Sequence, residues 1–226
     1  MSIDALELWA LDQDAADPLA SLREAFEIPV GADGRQWAYF CGNSLGLQPR
    51  AARDAVLAEL DQWRTVAVEG HFRGKLPWMD YHAFVRDDLA LVTGARPVEV
   101  VAMNSLTANL HLLMASFYRP TRQRPAILIE AGAFPSDRHA VESQVRFHGF
   151  DPATDLIELE ADEPAGTISD AAIAEAIARH GERLALVLMP GVQYRTGQVF
   201  DIAAITAQAH AAGAIAGFDL AHAFGN

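Results

Sequence analysis

The residues with most chemical promise are Asp219 and His222, carried by the stretch Ala214-Ile215-Ala216-Gly217-Phe218-Asp219-Leu220-Ala221-His222. A small apolar run of this kind reads as a buried strand whose C-terminal tip delivers an acid and then, three residues on, an imidazole. In open α/β sheets such tips line the ligand crevice, and an acid there suits a cofactor's ring nitrogen. The plainer reading is a turn cap at Asp219 and a satisfied core histidine at His222.

Other apolar runs end in comparable fashion. Val98–Met103 leads into Asn104-Ser105-Leu106-Thr107-Ala108-Asn109, a hydroxyl-bearing helix start whose free amides and dipole would cradle a phosphate, or simply an ordinary N-cap. Ala126–Glu130 leads into Ala133-Phe134-Pro135-Ser136-Asp137, where Pro135 stiffens the turn, Phe134 offers a flat face and Asp137 stands beside it. The alternative there is a helix start over a core phenylalanine. Leu184–Met189 leads into the polar loop Pro190–Gly197. A phosphate cradle, an aromatic face and a strand-end acid together match a planar, phosphorylated N-heterocycle, and pyridoxal phosphate (PLP) fits that description best. No G-x-G-x-x-G follows a strand and no Walker sequence is present, so a dinucleotide or P-loop nucleotide fits poorly. The eight histidines form no ligand spacing, which argues against a metal, and G-x-S-x-G is absent.

The elements that must position these residues follow from periodicity. From Val98 onward five short apolar runs alternate with helical stretches at Leu106–Tyr118, Ser136–Phe147, Asp170–His180 and Ile202–Ala212. Ser169 and Asp201 stand where N-caps belong, and Gly181 and Gly213 where C-terminal glycines belong. Strands this apolar imply a mostly parallel sheet covered on both faces, a doubly wound α/β fold. Upstream, a loose helical pattern covers residues 4–28, Gln36–Cys41 reads as a strand and Gly42–Gly46 as a turn. A helix opens at Pro49 and carries Ala52, Val56, Leu60 and Trp63, Gly70–Pro77 is a loop, and a further helix spans Trp78–Val92. The expected division is an N-terminal helical arm, 1–75, and a sheet domain, 76–226, still being built where the chain stops.

Composition narrows the partners. In 226 residues, 17 basic side chains stand against 30 acidic ones, a formal net charge of −13. That argues against nucleic acid or an anionic membrane surface as partner. Neither a leader pattern at the start nor a membrane-length apolar run is evident. The single Cys41 rules out an internal disulfide framework, and the cytoplasm is the expected compartment.

Several blocks resemble kynureninase, a fold-type I PLP enzyme of tryptophan catabolism in the aspartate-aminotransferase-like class. They are Tyr39–Leu47, Gly70-His71-Phe72, Met103–Leu113, Ala133–Asp137, Gly191–Tyr194, Thr196-Gly197-Gln198 and Gly217–Ala223. The likeness runs along nearly the whole chain and covers about the first half of such an enzyme. It implies that Leu106 and Thr107 hold the cofactor phosphate, that Phe134 stacks on the pyridine ring, and that Pro135, Ser136 and Asp137 close that side. Asp219 would pair with the ring nitrogen, His222 would sit against the cofactor, and Ser44 and His71 would contact the substrate. Pro190 departs from relatives that have serine there, and a proline has no hydroxyl to offer the phosphate.

The implied reaction is hydrolysis of kynurenine, or its 3-hydroxy form, to anthranilate, or 3-hydroxyanthranilate, and alanine, by a homodimer. The Schiff-base lysine expected for it follows the Asp-x-x-His block in a Tyr-Lys-Tyr context, beyond Asn226. The chain's one lysine, Lys75, lies elsewhere, so no catalytic residue is expected within the chain and residues 1–226 alone are expected to be inactive. Two other readings stay open: a cysteine-desulfurase-like lyase, and a non-catalytic remnant that keeps a phosphate pocket.

Overall fold

A computed structural model of the chain describes residues 3–162 and 164–225. The chain divides into two units, one ending at Tyr81 and one beginning at His82.

The first unit opens with α1 (Ile3–Ala16) and a 3-10 turn at Ala20–Ala25. Two short strands, β1 (Phe26–Glu27) and β2 (Gln48–Pro49), then pair antiparallel. Arg50 ties that pair together, donating to the Glu24 carbonyl at 2.8 Å and to the Glu27 carboxylate at 3.0 Å. Helix α2 (Ala51–Val66) follows, so Pro49 lies in a strand and not in the helix's first turn. Its stripe of Val56, Leu60 and Trp63 is exposed. The strand expected at Gln36–Cys41 does not form. Gln36 makes a lone bridge to Val30 and the Trp37 amide donates to the Pro29 carbonyl at 2.9 Å, but among the described residues no neighbouring strand extends the ladder further.

The expected helix over Trp78–Val92 is broken into a 3-10 turn, Trp78–Ala83, and α3 (Arg86–Thr93). Asp87 and Asp88 fall in the first turn of α3, where the helix dipole favours acids, so a new helix start is stabilised there. Gly94, at φ 67°, closes it in the left-handed conformation. The run Val98–Met103 also fails to become a strand. Its start is a 3-10 turn, Pro97–Glu99, held by Arg96, whose amide donates to the Glu99 carboxylate at 2.9 Å. Val98 and Val101 remain exposed, and no strand lies alongside among the described residues.

From there the second unit follows the expected alternation. Its elements are α4 (Leu106–Phe117), β3 (Ala126–Glu130), α5 (Pro135–Phe147), the single turn α6 (Pro152–Asp155), β4 (Leu156–Leu159), α7 (Asp170–His180), β5 (Leu184–Pro190), α8 (Ile202–Ala211) and β6 (Ile215–Asp219). Among the described residues the four strands form one parallel sheet in the order β4-β3-β5-β6. Period-2 alternation sends Leu128, Val187 and Met189 to a core shared with Ile173 and Ile177 of α7 and Ile205 of α8. Ile127, Ile129, Leu186 and Leu188 face the other way, onto Met114 of α4 and Val141 and Val145 of α5. Both faces are covered, which is why β3 and β5 are apolar almost throughout.

Ser169 caps α7 by accepting from the Ala172 amide at 3.1 Å, and Asp201 caps α8 by accepting from Ala204 at 2.9 Å. At the far ends the two glycines differ. Gly213 is left-handed at φ 77°, whereas Gly181 keeps helical angles. Arg124 completes both ends: its guanidinium donates to the carbonyls of Gly181 and Ala212, where α7 and α8 stop, and also to that of Leu184 at the start of β5.

Candidate functional site

Parallel strands place all their C-terminal tips on one rim, and that rim holds the polar residues of the second unit. β5 and β6 run in register with Pro190 opposite Asp219, and the Gly191 amide donates to the Asp219 carbonyl at 2.8 Å. Asp219 therefore leaves the sheet at a fixed point. Its Oδ1 accepts from the Ala221 amide at 2.7 Å, a local turn that orients the carboxyl and starts the segment leading to His222.

Opposite Asp219 stands Asp137, buried in the first turn of α5, its carboxyl in hydrogen-bond contact with that of Asp219. Burial raises the affinity of Asp137 for a proton, the adjacent Asp219 raises it further, and the Ser136 hydroxyl, 3.3 Å away, offsets this only in part. Asp137 thus keeps its proton well above the usual carboxylate range. A cationic N–H set against the pair would relieve that repulsion.

Three rings flank the carboxyls. Phe134 lies edge-on to Tyr194 at 5.1 Å, and His222 is 6.3 Å from Phe134 and 6.0 Å from Tyr194. Arg195 packs over Tyr194, its guanidinium carbon 5.4 Å from the ring centre. The resulting cleft is narrow, with a cavity volume of about 30 Å³, and partly open to solvent. An aromatic wall beside two closely set carboxyls can hold a flat heterocycle and favour a proton on its nitrogen.

The structure brings Phe134, Asp137, His222 and Asp219 together here, with Pro190 in the same lining. Pro135 and Ser136 begin α5 directly behind Phe134. Leu106 and Thr107 form the first turn of α4 and do not line the cleft. That helix start is preceded by an extended Ser105 whose side chain makes no capping bond, so a side chain does not cover the first amides of α4 there. In the first unit, Ser44 lies in the exposed turn that Cys41 closes by accepting from the amides of Ser44 and Leu45, both at 3.0 Å. His71 ends a 3-10 turn with its ring edge-on to Trp78 at 5.4 Å.

Sequence reasoning gave no role to Glu130, Gln193, Tyr194 or Arg195. Glu130 ends β3 as a buried acid, and burial pushes its carboxyl up to about 7 despite contacts with Gln193 and Arg195 that favour ionisation. The available signal was the pattern Ala-Ile-Leu-Ile-Glu, an apolar run closed by an acid just as β6 is closed by Asp219. Among the described residues, no group of His, Cys, Asp and Glu could hold a metal ion, and no helix is long and apolar enough to cross a membrane.

Among solved structures the fold is that of cysteine desulfurases and of the lyase C-DES. A cysteine desulfurase from Thermococcus onnurineus NA1 superimposes with a TM-score of 0.60 at 19% identity, covering 80% of this chain and 43% of that one. The cysteine desulfurase CsdA of Escherichia coli gives 0.63 at 16% identity, covering 90% and 48%. A variant of C-DES, solved with glycine covalently linked to its PLP cofactor, gives 0.58 at 18% identity over 80% of this chain and 46% of that one. At these identities the likeness establishes the fold. No protein-family model matches the chain.

Sequence relatives are more particular. The chain is 68% identical over 217 residues to the kynureninase of Xanthomonas euvesicatoria pv. vesicatoria (strain 85-10), covering 96% of this chain and 51% of that protein. It is 65% identical over 213 residues to that of Xanthomonas campestris pv. campestris (strain B100), covering 94% and 50%. Over nearly its whole length the chain is therefore similar to kynureninases, and it spans about half the length of the curated relatives it matches.

Proposed function

We propose that this chain supplies the cofactor-holding half of a PLP-dependent hydrolase that cleaves kynurenine or 3-hydroxykynurenine into an anthranilate and alanine. The observation that carries this reading is the Asp219–Asp137 carboxyl pair at the tip of β6, set against the ring of Phe134. The residues present fit the cofactor. A flat ring held between two others needs about 7 Å, two contacts of about 3.5 Å each. Phe134 and His222 are 6.3 Å apart, so modest side-chain movement would admit one.

PLP, when bound, supplies an electron sink for charge developing at a substrate's α-carbon. Asp219 would hold the proton on the ring nitrogen that makes the sink effective, and Asp137 would share the burden of keeping that proton in place. Phe134 and His222 would fix the plane of the ring. The open amides at Leu106 and Thr107 would receive the phosphate, aided by the dipole of α4. Pro190 carries no hydroxyl and adds nothing to that contact. Ser44 and His71 are the proposed substrate contacts. Cytoplasmic location and a homodimer complete the reading, the latter supported by the exposed apolar stripe of α2.

The Schiff-base lysine would come from the part of the relatives' length that this chain does not span, since Lys75 belongs to the first unit. The test compares the chain with a version extended to the relatives' full length. The extended protein should bind PLP and release anthranilate from kynurenine, and residues 1–226 should show no turnover. Asp219→Ala in the extended protein should lower kcat by at least about 10²-fold, the usual scale for removing a group that stabilises developing charge. Turnover by residues 1–226 alone, or an unimpaired Asp219→Ala enzyme, would overturn the proposal.

A further inference from the structure

Glu130 is a buried acid for which the proposed function has no use. Burying a carboxyl is costly unless it is hydrogen-bonded, so its partner is informative. The neighbour that offsets this burial is Gln193, itself buried, whose side chain faces the Glu130 carboxyl across the cavity wall they share. The other end of the same amide is also engaged. Gln193 Oε1 accepts from the Arg195 amide at 2.6 Å, from the Thr196 amide at 2.9 Å and from the Thr196 hydroxyl at 3.3 Å. With Oε1 committed to those donors, Nε2 is left to face Glu130.

The backbone of Gln193 closes the same loop, its amide donating to the Gln198 carbonyl and its carbonyl accepting from Gly197, both at 2.9 Å. Residues 193–198 thus fold around one side chain, and that side chain is anchored on the tip of β3. The loop presents Tyr194, whose ring meets Phe134 and His222. Arg195 adds a weaker tie, donating to the Gly132 carbonyl at 3.3 Å.

We infer that Glu130 is a positioning residue for the cleft: through Gln193 it fixes the 193–198 loop, and so sets the Tyr194 ring against Phe134 and His222. The inference rests on the proposed function only for its consequence, that a flat cofactor held in this cleft is bound more tightly because Tyr194 is held in place. The Glu130–Gln193–Tyr194 relay itself stands on the geometry of the protein alone.

The experiment uses the protein extended to the relatives' full length, with two readouts. The first is PLP affinity, titrated by cofactor absorbance. Glu130→Ala and Gln193→Ala should each weaken it about tenfold, and the double variant should be no weaker than either single one, because both cut the same relay. Glu130→Gln, which still accepts from Gln193, should restore affinity to within about twofold. The second readout needs no cofactor. The Tyr194 ring resonances, identified by their loss in Tyr194→Phe, should move toward the values of a free tyrosine in Glu130→Ala and stay in place in Glu130→Gln. Should the wild type fail to bind PLP while Tyr194 responds as described, the proposed function fails and the relay stands. An unmoved Tyr194 in a folded Glu130→Ala protein overturns the relay, as does additive weakening in the double variant.

Discussion

The sheet of the second unit and the helical first unit use apolar residues in opposite ways. In β3 all five residues are buried, and the apolar runs of β3 and β5 are closed over by helices on both faces. In α2 the stripe Val56, Leu60 and Trp63 has the spacing of a core-facing helix and yet remains more than half exposed. The hydrophobic pattern is equally clear in both places. What differs is whether the described chain contains the surface that covers it, and a pattern specifies a buried face only when such a partner exists.

That contrast predicts the largest stability difference in the molecule. Leu128→Ala should destabilise residues 1–226 by about 2–5 kcal/mol, the range for emptying a packed core position, whereas Leu60→Ala should fall within about 0.5 kcal/mol. Urea unfolding at a constant slope reads both. Should Leu60→Ala prove as costly as Leu128→Ala, the α2 stripe is covered in solution, and the distinction between the two regions collapses.

The same contrast explains what could be read in advance. Four strands and the four long helices of the second unit lie within a residue or two of where apolar periodicity puts them, because each strand finds its partner among the others. Gln36–Cys41 and Val98–Met103 have equally strand-like composition, but among the described residues the first finds only the single bridge from Gln36 to Val30 and the second no strand at all, and they stay irregular. The break between Trp78 and Arg86 was hidden because a helix start at Asp87 and Asp88 looks, in sequence, like one more exposed turn of a longer helix. At the rim, Phe134, Asp137, His222 and Asp219 could be placed from strand-tip logic. Glu130 obeys that logic equally well, but its role depends on Gln193, 63 positions later, and a contact across that distance leaves no local trace.

A smaller effect separates the rim from the rest of the second unit by pH. Native Glu130, pushed to about 7 from an ordinary 4.5, keeps a proton that the unfolded chain releases. Its contribution to stability is therefore complete below pH 4.5 and declines as the pH rises to about 7. Asp137, raised by burial and by Asp219, acts in the same direction. Unfolding free energy should fall across this interval, and Glu130→Gln should flatten part of the slope without moving the Leu128→Ala difference. A slope unchanged in both Glu130→Gln and Asp137→Asn would mean that the rim carboxyls are ionised in the native protein.

The smallest expected effects distinguish helix starts within one sheet. Ser169 and Ser105 both stand as extended N-caps, one before α7 and one before α4, but only Ser169 makes the capping bond. Ser169→Ala should cost about 1 kcal/mol. Ser105→Ala should cost less than about 0.3 kcal/mol, because no side-chain bond is lost. The inequality has a functional side. A helix start left without its side-chain acceptor leaves its first amides available to an outside anion, and inorganic phosphate should then raise the melting temperature of the protein. Phosphate stabilisation that persists in Ser105→Ala but is lost when Thr107 is replaced by proline, which removes one of those amides, would locate the anion on α4. Equal costs for Ser169→Ala and Ser105→Ala would mean that α4 is capped after all, and the phosphate would have to be sought elsewhere on the rim.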